Sequence, residues 1–248
     1  MEHGATKAEI SRFLWRALRS RFRDHRAELS AIRHHAAHNG IACDVGANKG
    51  SILFWLSRWN AAGRVVAFEP QQDLAQYLFR MCAALPLPNV TVEAKAVFSE
   101  TGIRELFVPN GHKPGASLAP AGLSYAAVQA VPVPVVALDD YFSESDRISV
   151  LKIDVEGAEK GVFEGAERIL RRDRPLLVFE CEARHISRGN ISDVFQYLER
   201  FGYQGSFVQR GCTRPVAQFR EELHQCREGE WFWKQPGYCN NFVFSPAR

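Results

Sequence analysis

Asp44-Val45-Gly46-Ala47-Asn48-Lys49-Gly50 is the stretch on which the fold of this chain turns. It follows a short apolar run, Ile41–Val45, and leads into a helical pattern that begins near Ser51. Glycines at such a turn let the backbone bend sharply and approach a ligand with no side chain in the way. The same alternation repeats on either side. Strands are expected at Ile41–Val45, Arg64–Phe68, Val90–Ala94, Ser149–Ile153, Leu176–Glu180 and Gly205–Val208. Helices are expected at Ser51–Trp59, Asp73–Leu85, Ala158–Arg171 and Ser192–Phe201. Such alternation builds a mostly parallel sheet covered by helices on both faces, the α/β class. Asn241–Phe244 reads as one more strand after the last helix.

One stretch breaks the rhythm. Ile103–Val108 and Val131–Val136 read as a hairpin rather than a helix, separated by Pro109, Gly111, Pro114, Gly115, Pro120 and Gly122. A long loop of this kind is placed to cover a ligand. The first forty residues read as a helical extension ahead of a main domain spanning 41–248. Ile10, Phe13, Leu14, Ala17, Leu18 and Phe22 would share one apolar face of it, and Arg12, Arg16, Arg19, Arg23 and Arg26 another. The basic face is either solvated or docks weakly on a membrane surface or an anionic carrier-linked substrate.

The 248 residues suffice for one α/β domain with appendages. A net charge of +3, without an aromatic-basic stripe, argues against a nucleic-acid partner. No apolar run is long enough to cross a bilayer, and the amino end lacks a secretory pattern. With six scattered cysteines and no C-x-x-C, reduced thiols in a cytoplasmic protein are expected. Cys212, His224, Cys226 and Cys239 match no compact zinc spacing.

Three strand tips carry acids toward one sheet edge, where open α/β folds bind ligands. Asp44 ends the first strand; a carboxylate there repels a pyrophosphate and suits an ammonium group or ordered water. Glu69, in Phe68-Glu69-Pro70, ends the second and can accept both hydroxyls of a ribose. Asp154 ends the strand within Leu151-Lys152-Ile153-Asp154-Val155-Glu156-Gly157-Ala158-Glu159. Glu180-Cys181-Glu182 and His185 follow the next. Small residues after the third strand, Ala96 and Val97, leave room for an adenine ring. The G-x-N-x-G spacing of Gly46, Asn48 and Gly50 differs from the dinucleotide fingerprint G-x-G-x-x-G.

Taken together, D-V-G-A-N-x-G, F-E-P, L-K-I-D-V-E-G-A-E and Gly165-Ala166 resemble the FkbM-type methyltransferases over roughly Ile41 to Glu180, and Asn241–Pro246 looks like the family's closing strand. The resemblance implies a Rossmann-like class I methyltransferase, with a mostly parallel seven-stranded sheet and an antiparallel last strand. It implies S-adenosylmethionine as cofactor and O-methylation of a sugar, glycolipid or secondary metabolite. Cofactor contacts are then expected from Asp44, Gly46, Asn48, Gly50, Glu69, Ala96, Val97 and Asp154.

Methyl transfer is an in-line displacement, so the protein must hold donor and hydroxyl together and take up a proton. Asp154 is expected to position donor or acceptor, with Glu180 or His185 nearest the base role. A divalent cation on Asp154, Glu180 and Glu182 is allowed by the acids but not called for. Lys152 is expected to neutralise neighbouring acids, and Gly157, Gly161 and Gly165 to permit close helix–sheet packing. Segments 109–131 and 209–239 are the expected substrate covers. Trp231, Phe232, Trp233 and Tyr238 either pack as a lid or stack on a sugar. The rival readings are an NAD-dependent oxidoreductase, a silent cofactor-binding module and an RNA methylase.

Overall fold

Ile41–Val45 (β1) is buried at every position, because apolar side chains alternate to both faces of a central strand and each face meets a helical layer. The computed structural model describes residues 4–35, 40–109, 115–119, 128–186 and 189–247. Two helices, Lys7–Arg19 (α1) and Arg26–His35 (α2), precede β1. Then come Leu53–Trp59 (α3), Arg64–Phe68 (β2), Gln72–Ala84 (α4) and Val90–Glu93 (β3). Ala96–Val97 (β4), Gly102–Pro109 (β5) and Val128–Val136 (β6) make a separate small sheet. Leu138–Tyr141 (α5), Ile148–Ile153 (β7), Glu159–Glu164 (α6), Glu167–Arg172 (α7) and Leu176–Glu180 (β8) follow. The chain continues through Ile191–Glu199 (α8), Tyr203–Gln209 (β9), Cys212–Pro215 (β10) and Glu221–His224 (α9) to Asn241–Pro246 (β11).

The main sheet runs β10-β9-β11-β8-β7-β1-β2-β3. The five strands from β8 to β3 are parallel, and β11 runs against both its neighbours. It therefore has eight strands where seven were expected, the extra one being β10, which folds back on β9 through an exposed edge. Strand order reverses between β7 and β1. That places the ligand crevice of an open α/β sheet at the carboxyl ends of these two strands.

Period-two alternation divides the core. Cys43, Val45, Leu151, Ile153, Leu177 and Phe179 pack with α5, α6, α7 and α8. Ala42, Val65, Ala67, Val150 and Val178 pack with α1–α4. Phe13, Leu29 and Ile32 are fully buried there, so α1 and α2 complete a helical layer of the domain.

Two expectations need correction. The apolar face of α1 is narrower than its spacing suggested: Phe13 and Ala17 are buried, while Leu18 and Phe22 face outward. Phe13 wedges into the space left by Gly50, and Trp55 Nε1 donates to the Ala17 carbonyl at 2.7 Å. Beyond that contact the helix widens into one π turn, Ser20–Asp24. The single helix expected at Ala158–Arg171 is two. Asp139 caps the second by accepting from Arg168 N at 2.6 Å and Ile169 N at 3.1 Å.

The glycines at that break pack on the segment after β4, and Gly157 lies ahead of α6 altogether. A Cβ on Gly165 would collide with the Phe98 carbonyl, and one on Gly161 with the Phe98 ring. Gly165→Ala is therefore expected to lower unfolding free energy by about 1–3 kcal/mol through overpacking. Urea unfolding followed by far-ultraviolet dichroism measures it; a midpoint equal to that of the parent chain would contradict this packing account.

Candidate functional site

At the switch point, Gly46 N donates to the Phe68 carbonyl at 2.9 Å and Asp154 N to the Val45 carbonyl at 3.0 Å. The tips of β1, β2 and β7 are thereby tied together. Gly46 sits at φ 76°, where L side chains are strained, and a Cβ on it would strike the Asp154 carbonyl. Beneath this turn lies Lys152, buried, with its Nζ 3.2 Å from Asp44 Oδ1, 3.6 Å from Asp154 Oδ2 and 3.3 Å from the Gly46 carbonyl. Burial alone would pull the ammonium down, but the two carboxylates hold it above its usual range. Burial raises Asp44, offset in part by Lys152. Lys152 thus neutralises the strand-tip acids, as expected.

A cavity of about 140 Å³ opens over this turn. Gly46, Asn48, Glu69, Ala96, Val97, Asp154 and Glu180 line it, so seven residues singled out from sequence converge. Glu69 is 3 % exposed and oriented by two backbone donors, Asn48 N at 2.8 Å and Gln71 N at 2.9 Å. Asn48 offers its N–H from the left-handed region, φ 48°. Burial pushes the Glu69 carboxyl up to about 7 despite those two bonds.

Two of the expected cofactor residues are not among those lining the cavity. Asp44, 1 % exposed, lies under the turn against Lys152. Gly50 is also outside the lining, because it accommodates Phe13 and Leu78: a Cβ there would lie 2.7 Å and 2.9 Å from their side chains. Both support the cavity from behind.

Glu156, from the same loop, is a lining residue that the sequence reading quoted but did not single out. It stands at φ 54°, and its Oε2 lies 2.6 Å from His185 Nδ1. Gly157, at φ 97°, permits this by coming against the His185 carbonyl. Glu180 accepts from Asn240 Nδ2 at 2.6 Å. Burial, then the charges of Asp154, Glu156 and Glu182, raise its carboxyl well above the usual range. Glu182 is different. Burial works against its charge, but a two-pronged contact from Arg184 (2.6 and 2.9 Å) and the Tyr238 hydroxyl (2.6 Å) bring it below the usual range.

The donor set does not fit the cation that the acids Asp154, Glu180 and Glu182 would allow. Among the described residues, the metal-capable groups that converge are Glu156, Glu182 and His185, within 4.8 Å. Arg184 and Tyr238 already occupy Glu182, and Glu156 already faces His185. No convergence of Cys212, His224, Cys226 and Cys239 occurs, and all six thiols are free.

Both expected covers have described portions. In the first, Ala116, Ser117 and Leu118 line the cavity, and Ser117 Oγ donates to the Glu156 carbonyl. Residues 110–114 and 120–127, with Gly111, Pro114, Pro120 and Gly122, lie outside the described residues. In the second, the Arg184 guanidinium stacks 4.8 Å from Trp233 and 5.8 Å from Phe232. The aromatic cluster thus packs around the partner of Glu182 and stays outside the cavity lining. Gln225, donating to the Cys181 and Cys239 carbonyls at 2.8 and 3.0 Å, clamps this segment to the end of β8.

With this geometry in place, the family model for the methyltransferase FkbM domain matches residues 44–204. The chain belongs to the FkbM methyltransferase family. Its cofactor is accordingly S-adenosylmethionine, and the dinucleotide reading falls. A solved FkbM methyltransferase from Methylobacillus flagellatus superposes with TM-score 0.52 at 18 % identity, over 83 % of this chain and 43 % of its own. This chain thus spans less than half of that protein's length. An rRNA methylase from Streptococcus thermophilus superposes with TM-score 0.50 at 13 % identity, covering 89 % of this chain and 95 % of its own. At such identities the likeness is one of fold. No curated protein sequence matches the chain. Among the described residues, no helix is long and apolar enough to cross a membrane.

Removing the buried cation while leaving Asp44 is expected to cost about 3–5 kcal/mol of stability. Lys152→Met should therefore unfold at much lower denaturant, and adding Asp44→Asn should restore most of the loss. An additive double variant would show that the pair does not act as a unit.

Proposed function

We propose that this methyltransferase moves the methyl group of S-adenosylmethionine to a hydroxyl of a sugar, glycolipid or other small metabolite. The observation that supports it is one cavity lined by Glu69, Asp154, Glu156 and Glu180, with His185 held just behind Glu156 through their 2.6 Å contact and outside the lining itself. A buried carboxylate with raised pKa gains from hydroxyl donors, and a ribose diol supplies two. Ala96 and Val97 provide the apolar wall for the adenine, and Gly46 and Asn48 the backbone approach. Asp154 offers a carboxylate to the cofactor's ammonium, and a bound cation would favour the ionised form of Glu180. When bound, the cofactor supplies an activated methyl group with a neutral thioether leaving group.

The chain's own residues then orient the acceptor and take its proton. His185 is the base in this reading. Its Nδ1 faces Glu156, which leaves Nε2 as the free acceptor, and the carboxylate stabilises the imidazolium that forms. Glu180 positions the acceptor, with Asn240 fixing its orientation. Asp44 and Lys152 act one layer below, holding the Gly46 turn.

Labelled S-adenosylmethionine incubated with small-molecule, RNA and protein fractions tests the substrate class. Label is expected in the small-molecule fraction, on an alkali-stable ether; transfer to RNA or protein would replace this reading. His185→Ala is expected to slow transfer by about 10²–10⁴-fold with cofactor affinity unchanged. An unchanged rate would move the base role to Glu180.

The Glu69 carboxyl also predicts a pH dependence. Ribose donors favour its charged form, so its pKa drops on binding and a proton is released. Affinity for S-adenosylmethionine is then full above about 7 and weakens as pH falls below it, by up to about tenfold per unit. Calorimetry across this range, with Glu69→Gln as reference, measures the effect; an equal slope in both proteins would assign it to another group.

A further inference from the structure

The outward side of α1 and its π turn carries an apolar stripe that no part of the described chain covers. Trp15 is 58 % exposed, Leu18 49 % and Phe22 69 %. These are three of the seven large apolar side chains exposed among the described residues, gathered within eight positions. The helix does not need them for packing, since Phe13 and Ala17 fill the inward side.

Arginines surround the stripe. Arg12, Arg19, Arg23 and Arg26 are exposed beside it. Arg19 lies 5.3 Å from the Trp15 ring and Arg21 5.6 Å from that of Phe22, so the cations stay beside the rings. Between Lys7 and Arg33 the sequence has eight basic residues against three acidic ones, more than the whole chain's net charge of +3. The acids cancel only part of this outward, leaving Arg12 and Arg26 beside the stripe with no ion pair among the described contacts. Glu28 is buried against His25, Glu9 pairs with Arg80, and Asp24 pairs with Arg19.

We propose that α1 and its π turn dock this face on an anionic membrane surface, with Trp15, Leu18 and Phe22 entering the headgroup boundary and the arginines meeting lipid phosphates. Bulky apolar residues flanked by arginines suit that boundary, where one side is apolar and the other wet and negative. A second copy of the chain fits less well, because a self-complementary contact would set arginines against arginines. A nucleic acid would use the arginines but leave the three apolar side chains without a role. This surface is independent of which hydroxyl is methylated.

The test is co-sedimentation of the full chain with phosphatidylglycerol–phosphatidylcholine vesicles, against phosphatidylcholine alone and against poly-uridine RNA. Binding is expected to the anionic vesicles only. It should fall at least about tenfold in Trp15→Ser/Leu18→Ser/Phe22→Ser, and in Arg12→Glu/Arg23→Glu, with S-adenosylmethionine affinity retained. Difference fluorescence between the parent chain and Trp15→Phe should show Trp15 emission moving to the blue on anionic vesicles. This keeps the test valid even where the triple variant folds poorly. A parent chain that stays in the supernatant, an unshifted Trp15, or equal binding by the triple variant would overturn the proposal. So would binding to RNA that depends on the same apolar residues, or a concentration-dependent dimer that they abolish.

Discussion

The buried ammonium of Lys152 is the constraint around which the site is arranged. β1 and β7 are adjacent parallel strands, and each ends in a carboxylate, Asp44 and Asp154. Two like charges at neighbouring tips of a dry sheet would force the strands apart or one proton on. A lysine at the register position opposite Asp44 removes that conflict. Its third contact, to the Gly46 carbonyl, fixes the turn that brings backbone to the cavity. The pair therefore matters less as a stabilising bond than as the means of keeping charged groups on this edge.

The acids in and beside the cavity differ in how they are held. Glu69 is held by backbone N–H groups and becomes protonatable near neutrality through burial. Glu182, outside the cavity lining, is engaged by Arg184 and Tyr238, and the Tyr238 contact ties it to the 209–239 segment. Glu156, which lines the cavity, is paired with His185 behind it.

The N-terminal helices have two faces with separate consequences. Their inner residues finish the layer that α3 and α4 begin, and Phe13 depends on the absence of a side chain at Gly50. Gly50 thus serves helix docking although it stands in the loop over the cavity. Their outer residues owe nothing to packing, which is why a stripe of tryptophan, leucine and phenylalanine there asks for another explanation.

The sequence by itself determined most strands of the main sheet and most of the cavity, while the spatial order of the strands came from the packed structure. Alternation of apolar runs with helical stretches is a local pattern, and glycines and acids at strand tips are fixed by register once the strands exist. Gly46, Asn48, Glu69, Ala96, Val97, Asp154 and Glu180 were legible for this reason. Tertiary structure decided the remainder, because it depends on partners far away in sequence. Only the packed molecule reveals that Asp44 is sealed under Lys152, that Gly50 receives Phe13, that Asp139 starts α7 from thirty residues upstream, and that Glu156 meets His185. The outward turn of Leu18 and Phe22 belongs with these. Helical periodicity places both near Phe13 and Ala17, but which part of an apolar arc is buried depends on the width of the surface beneath it.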